Sequence, residues 1–337
     1  MSTGSRVVPA WLAAVCALVV AMVVVGGVTR LTGSGLSIVE WRPVTGAVPP
    51  LTDGAWEEAF AAYRTSPQFR LVNASMSLPD FKRIFFWEYV HRLLGRVLGV
   101  VFVVPFVWFL RRRALAPRHA RVLGVALALG ALQGLVGWLM VKSGLVDVPR
   151  VSHYRLATHL GLALTLLGVL SWVLFDLRGD GGGASPRVRA ALTLVLGLLG
   201  AQIFYGALTA GLRAGVGYNT FPTMHGRWFP VDGLALSPTW TNWVENPATV
   251  QFTHRALALA LLVAVGVTAW LARRDRPAIV AATRALGVLA LAQATLGVVT
   301  LVLVVPIGIA AAHQLGACVL LLAALRARHG AARRPNG

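Results

Sequence analysis

Four histidines are spaced so that they could hold a metal in two pairs: His91, His159, His254 and His313. Each lies near the start of an even-numbered apolar segment, so all four are predicted to lie at one depth of a membrane bundle. Ionisable or metal-binding side chains inside a membrane are costly, and they therefore indicate a functional site. Facing imidazoles on neighbouring helices are typical ligands of a metal ion or heme iron, so two pairs predict two sites.

Two other interpretations of the histidines are open. They could be separate buried side chains bonded to helix carbonyls, or they could form a path for protons. Four such residues at matched depth and repeated spacing argue against isolated structural roles, because each costs free energy in the membrane. A metal-ion cluster would need Cys, Asp or Glu nearby. Only Glu88 qualifies, and Gln251 takes its place in the second half. Paired neutral imidazoles in an apolar cavity favour bis-histidine heme.

The composition is that of an integral membrane protein. The chain has 337 residues, of which 57% are hydrophobic and 13% charged. Several apolar runs reach the ~20 residues that span a bilayer. The net charge of +19 comes from arginines clustered in short loops, which predicts membrane orientation and not nucleic-acid binding. The arginine-rich ends are predicted to be cytoplasmic, with both termini on that side. The two cysteines form no CxxC pattern.

The apolar pattern predicts eight membrane-spanning helices, at about 9–28, 86–110, 122–141, 155–175, 190–212, 249–271, 285–305 and 307–325. Residues 285–325 are uncharged and too long for one span, so a break at Pro306 and Gly308 is expected to divide them. Two long outer loops, 29–85 and 213–248, are expected to form caps on the bundle.

The two halves of the chain repeat each other. Residues 88–92 correspond to residues 251–255, and residues 133–137 to residues 293–297. Two further matches pair Gly27-Val28-Thr29 with Ala207-Leu208-Thr209, and Ala157-Thr158-His159-Leu160-Gly161 with Ala311-Ala312-His313-Gln314-Leu315-Gly316. We therefore predict an all-α integral membrane protein whose eight transmembrane helices form two tandem four-helix bundles by internal duplication. The predicted halves are 1–178 and 187–337.

The depth of the histidines and one difference between the halves suggest how the sites are used. Both predicted sites lie near the outer face, which suits chemistry between two hemes better than electron transfer across the membrane. Glu88 lies three residues before His91 on the same helix face. It is either a helix-end charge pairing with the dipole or with Arg92, or an acid/base or electrostatic group beside one heme. Because Gln251 replaces it in the second half, we predict that the first half holds the reacting site and the second a fixed cofactor.

Three arginines and three further histidines lie near the predicted helix ends or in the loops. Arg92 and Arg255 each follow a histidine, and either they anchor the helix at the interface or they pair with heme propionates. Arg96, one turn beyond Arg92, is a further candidate propionate contact. The three histidines are expected to be solvated: His119, His225 and His329.

Several motifs run in order through nearly the whole chain. They are Gly26-Gly27-Val28-Thr29-Arg30-Leu31-Thr32, Trp41-Arg42-Pro43-Val44-Thr45-Gly46, Trp87-Glu88-Tyr89-Val90-His91-Arg92-Leu93-Leu94-Gly95-Arg96, Asn219-Thr220-Phe221-Pro222, and Glu245-Asn246 followed by Val250-Gln251-Phe252-Thr253-His254-Arg255. On these residues the chain resembles the heme A synthase family, in its proteobacterial and mitochondrial branch. The two histidine-arginine motifs are specific together and not separately. The cysteine pairs of the family's other branch are missing.

The resemblance implies an eight-span enzyme that oxidises the C8 methyl of heme O to a formyl group by successive hydroxylations, giving heme A for terminal oxidases. It assigns His91 and His159 to the substrate heme, and His254 and His313 to a heme b cofactor. It also implies that Glu88 assists catalysis. Its expected setting is the bacterial plasma membrane, with heme O supplied by a heme O synthase. The electron donor and any homo-oligomer stay open.

Two other functions fit the same pattern of residues. A quinol-linked diheme electron carrier of the cytochrome b type would bind two permanent hemes without altering either of them. A transporter would also use a duplicated bundle, but its spans should contain unwound Gly or Pro interruptions near mid-membrane. Pro105 is the main mid-span proline, which argues against transport.

Overall fold

A computed structural model describes residues 4–41, 45–145, 149, 151–179 and 182–332 of the chain. Within these ranges the fold is helical and contains no β-strand. The α-helices are α1 (Gly4–Leu31), α2 (Asp53–Arg64), α3 (Pro67–Leu71), α4 (Leu78–Arg111), α5 (Pro117–Gly144), α6 (His153–Arg178), α7 (Pro186–Gly211), α8 (Ala214–Gly217), α9 (Asn242–Glu245), α10 (Pro247–Ala272), α11 (Pro277–Val302) and α12 (Ile307–Gly330). Arg42, Pro43 and Val44 of the tryptophan motif lie outside the described residues.

Eight helices in the described part of the chain are long and apolar enough to cross a membrane: α1, α4, α5, α6, α7, α10, α11 and α12. The predicted all-α membrane fold is therefore confirmed. The predicted start of α4 near residue 86 is wrong, because the helix begins at Leu78. The Ser77 side chain accepts a hydrogen bond from the Asp80 amide and caps the helix there. The additional N-terminal turns pack beneath the first outer loop.

The turn between α11 and α12 also differs from its prediction. Helix α11 ends at Val302, and α12 begins directly after Pro306, whose ring cannot continue the preceding helix. Gly308 lies inside α12 and takes no part in the break, so that part of the prediction is wrong. Val304 and Val305 both have a φ of 60°, which is rare for β-branched residues. This strained four-residue turn joins two antiparallel helices.

The chain divides into two compact units, residues 1–166 and 167–337. In the second unit, α7 packs on α10, α10 on α11, α11 on α12, and α12 back on α7, which makes a closed ring of four helices. Its core is built from buried aliphatic side chains, among them Leu192, Leu199, Leu261 and Leu286. The predicted division into 1–178 and 187–337, and the internal duplication, stay predictions.

In the first unit, α1 packs on α4 and α4 packs on α5. The indole Nε1 of Trp11 donates to the carbonyl of Val101 at 2.8 Å, and its ring contacts Phe102 and Phe109. At the other end of the same helix pair, Thr29 Oγ1 donates to the carbonyl of Trp87 at 3.1 Å. Helices α1 and α4 are therefore tied together on both sides of the position of His91.

The first outer loop forms a compact cap on the start of α4, as predicted. Tyr63 on α2 and Phe81 on α4 are both fully buried, and their rings stack with centroids 5.2 Å apart. The phenol of Tyr63 donates to Gln68 Oε1 at 3.1 Å and accepts from Asn73 Nδ2 at 2.7 Å. An aromatic core with satisfied polar atoms therefore fixes this loop on α4.

The second outer loop is anchored to the start of α10 through asparagine and threonine side chains. The Asn246 side chain caps α10 by accepting from the Ala248 amide at 2.9 Å, and its Nδ2 donates to the carbonyl of Asp232. Thr249 Oγ1 donates to the carbonyl of Gly233. Several large apolar side chains of this loop are exposed, Trp228 most of all.

Two of the three histidines predicted to be solvated are buried. His119 is 6% exposed and His329 is 7% exposed, whereas His225 is exposed as predicted. The reason is that α5 begins earlier and α12 ends later than predicted, so both residues lie on helix faces and not in loops. Nε2 of His329 lies 2.8 Å from the Asp176 carboxylate.

Replacement of Tyr63 with Phe is expected to destabilise the cap by about 1–2 kcal/mol, because Gln68 and Asn73 lose their buried partner.

Burial raises the pKa of the Tyr63 phenol. The cap is therefore stable below about pH 10, the unfolded-state value, and loses stability as the pH rises through the folded-state pKa. Hydrogen exchange of residues 53–73 measures both effects. If the cap of the Tyr63→Phe variant still loses stability at high pH, a group other than Tyr63 is responsible for that loss.

Candidate functional site

The four candidate histidines lie on α4, α6, α10 and α12 and are half-buried. His159, His254 and His313 are the seventh or eighth residues of their helices. His91 is the fourteenth residue of α4, because that helix begins further out in the cap.

Two pairs of these histidines lie near each other, one pair in each unit, and their role as paired heme ligands stays a prediction. In the first unit His91 and His159 are near enough to interact electrostatically, and in the second unit His254 and His313 are. Among the described residues, no group of three His, Cys, Asp or Glu side chains could hold a metal ion. Each site is thus an imidazole pair without a carboxylate or thiolate third ligand, a donor set that suits heme iron better than a free metal ion.

Each imidazole lies against a glycine of the preceding odd-numbered span. A Cβ added to the glycine would lie 3.0 Å from His91 at Gly26, 2.9 Å from His159 at Gly137, 3.1 Å from His254 at Gly206 and 3.0 Å from His313 at Gly297. Any larger residue would therefore press on the ring. The glycines leave room for the four imidazoles at the helix contacts.

A glutamine lies one turn before the glycine on three of these helices. Gln133 Nε2 donates to the carbonyl of His159 at 3.0 Å, and Gln293 Nε2 donates to the carbonyl of His313 at 2.9 Å. Gln202 Nε2 lies 3.4 Å from Nε2 of His254. Two of these glutamines belong to the repeat in the sequence, but their contacts with the histidines were not predicted. The recurring spacing Gln-x-x-x-Gly was the signal that could have shown them.

Three histidine ring nitrogens have no hydrogen-bond partner among the described residues. Nδ1 of His159, His254 and His313 is buried and makes no hydrogen bond to any described residue. Buried polar atoms are nearly always paired in native proteins, so unpaired ones call for an explanation such as a bound group. With the glycine contacts and the apolar helix walls, this arrangement fits a heme held by two imidazoles in each unit.

Glu88 is 2% exposed and binds the first outer loop. Its Oε2 accepts from Ser37 N at 2.7 Å, Ser37 Oγ at 2.7 Å and Ile38 N at 2.9 Å. Its Oε1 accepts from Arg92 at 2.7 Å. The predicted pairing with Arg92 is therefore present. The carboxylate holds the loop against α4 one turn before His91.

The two arginines that follow a histidine also bind outer-loop carbonyls. Arg92 donates to Ile38 at 2.8 Å and to Glu40 at 2.9 Å. Arg255 donates to Tyr218 at 2.9 Å and more distantly to Pro222 and Thr223, both at 3.4 Å. Each guanidinium thus connects a histidine-bearing helix to the loop above it. Their contact with heme propionates stays a prediction, as does that of the half-buried Arg96.

The two units differ at the position of Glu88. Gln251 is 3% exposed, and its Oε1 has no partner among the described residues. Among the described residues, the amide oxygen of Gln251 therefore accepts no hydrogen bond like those that Glu88 accepts from Ser37. The predicted asymmetry between a reacting site and a fixed cofactor stays a prediction.

Replacement of Gly206 with Ala is expected to displace the His254 ring and reduce the heme retained by the second unit, since overpacking a fitted contact costs about 1–3 kcal/mol. The matched control is Gly200→Ala on the same helix, where an added Cβ meets nothing within 4 Å. Both variants gain the same helix propensity. Heme content per purified protein is the measurement. Equal content in the two variants would contradict the role of the glycine.

Nearly the whole chain is similar to known proteins. The model of the family described as cytochrome oxidase assembly protein, COX15-CtaA, matches residues 9–325. A protein of Nitrosospira multiformis named heme A synthase is 50% identical over 329 residues, which cover 95% of this chain and 92% of the relative. Proteins of the same name are 49% identical in Rhodopseudomonas palustris, with coverage of 95% and 88%, and 50% identical in Parvibaculum lavamentivorans, with coverage of 92% and 90%. The resemblance inferred from the motifs is confirmed, and the chain belongs to the cytochrome oxidase assembly protein family, COX15-CtaA.

Proposed function

We propose that this chain is a heme A synthase, a multi-pass membrane oxidoreductase that converts heme O to heme A. The C8 methyl of heme O is oxidised to a formyl group by successive hydroxylations. The observation that carries the proposal is the imidazole pair of each unit, seated against glycines, in a chain about half identical to proteins of that name.

The second-unit pair, His254 and His313, is the proposed ligand set of a heme b cofactor. A closed ring of four helices supports it, because such a ring suits a group that is bound once and kept. Heme b, when bound, would supply a redox centre that accepts and donates single electrons. Within the chain, the two imidazoles would bind and orient the iron.

The first-unit pair, His91 and His159, is the proposed ligand set of the substrate heme. Glu88 supports this assignment, because this buried carboxylate lies on the same face of α4 as His91. At the corresponding position before His254 the residue is Gln251. We propose that Glu88 acts at this site as an acid/base or electrostatic group. Its bonds to Ser37, Ile38 and Arg92 fix where the carboxylate is held.

The proposed setting is the bacterial plasma membrane, with both termini cytoplasmic. The arginine-rich helix ends support this orientation. The histidine pairs then lie toward the outer leaflet. Heme O is a membrane-borne substrate, so the proposed supplier is a heme O synthase in the same membrane.

The purified protein is expected to contain heme b, and the two histidine pairs are expected to fail differently. His254→Ala should lose heme b, because one axial ligand is gone, whereas His91→Ala should keep heme b but stop forming heme A in cells. Extraction of the bound hemes and their identification by mass measure this. Normal heme A from His91→Ala would refute the substrate site. Two permanent hemes without conversion would instead indicate the diheme carrier.

Replacement of Glu88 with Gln is expected to keep heme b and reduce heme A formation by roughly 100-fold or more, the scale of acid/base catalysis. The matched control is Ser37→Ala, which removes one donor to Oε2 but keeps the carboxylate. It should retain most of the conversion. Equal losses in both variants would mean that Glu88 serves only to hold the outer loop.

A further inference from the structure

The contact between glycine and histidine occurs four times, but the residue one turn before the glycine is not the same in all four cases. Gln133, Gln202 and Gln293 precede the glycines that meet His159, His254 and His313. Met22 holds this place on α1, before the Gly26 that meets His91. The alignment of residues 27–29 with 207–209 also puts Met22 opposite Gln202.

Each of the three amides reaches the histidine that its helix faces. Two of them donate to the backbone carbonyl of the histidine, which fixes the helix turn that carries the ring. The amide of Gln202 instead lies 3.4 Å from Nε2 of His254, while Nδ1 of the same ring has no partner among the described residues. Polar side chains inside a membrane helix cost free energy, and their presence therefore indicates a function. Groups that orient a metal ligand from behind commonly change metal affinity by 10- to 100-fold.

Met22 cannot make such a contact, because a thioether has no hydrogen to donate and is a weak acceptor. Its methyl group lies beside Gly95, where an added Cβ would be 3.7 Å from Met22 Cε. Gly95 is one turn after His91 on the same face of α4. The side chain therefore fills the space next to the histidine with apolar atoms. Along the described length of α1, no side-chain amide stands at this position to reach the ring or the backbone carbonyl of His91.

We propose that Gln133, Gln202 and Gln293 are positioning residues that secure three of the four axial histidines, and that Met22 leaves His91 as the ligand that lets its heme go. This inference rests on the proposed function. A synthase must release heme A and take up heme O in one site while it keeps heme b in the other. One unsecured ligand in the substrate pair, and two secured ligands in the cofactor pair, match these requirements.

The test exchanges the two corresponding residues. Met22→Gln is expected to slow the release of heme O and heme A from the purified protein by roughly 10-fold, and Gln202→Met to speed the release of heme b by roughly 10-fold. Release is measured as transfer to excess apomyoglobin, followed by chromatographic separation of the heme types. Met22→Leu, which stays apolar, is the matched control and should release heme O and heme A at the wild-type rate.

Heme O and heme A release from Met22→Gln at the rate of Met22→Leu would overturn the assignment of His91 as the releasable ligand. Unchanged heme b release from Gln202→Met would overturn the positioning role of the glutamines. Both outcomes presuppose that the wild-type protein carries heme b together with heme O or heme A. A wild-type protein without those hemes would instead refute the proposed function itself, and this inference with it.

Discussion

The close contact between an imidazole and a glycine on the neighbouring helix is the constraint on which the structure depends. A histidine inside an apolar bundle needs space, a partner and a fixed direction. The glycine gives the space without a side chain of its own. A glutamine, where present, gives the partner one turn away on the same face. The helices of each unit can therefore approach each other closely while an imidazole ring lies between them.

The two units differ in the residues that lie near their histidines. Glu88 binds the outer loop in the first, and in the second the amide oxygen of Gln251 is unpaired among the described residues. Met22 and Gln202 differ in the same sense, since one is apolar and the other carries an amide. Substitutions near the histidines can thus give the two helical units different chemical properties.

The sequence predicted the eight helices because runs of about 20 apolar residues have few alternatives in a protein. The recurring spacing of the histidines also indicated two pairs, whose role as heme ligands stays a prediction. The sequence did not predict the start of α4, because the aromatic contacts of Tyr63 and Phe81 that extend this helix are formed between distant residues. The burial of His329 was missed for a similar reason, since its partner Asp176 lies on another helix. The contacts of the glutamines depend on how helices face each other, which a repeat alone does not specify.

The hydrogen bonds of Glu88 and Arg92 to Ser37, Ile38 and Glu40 have a mechanical consequence. The outer segment cannot lift from α4 unless a buried carboxylate and a guanidinium lose their partners together. A displacement of that segment would therefore reach the turn that bears His91 through the side chains of Glu88 and Arg92. The first outer loop is in this way coupled directly to the helix turn that carries the His91 ring.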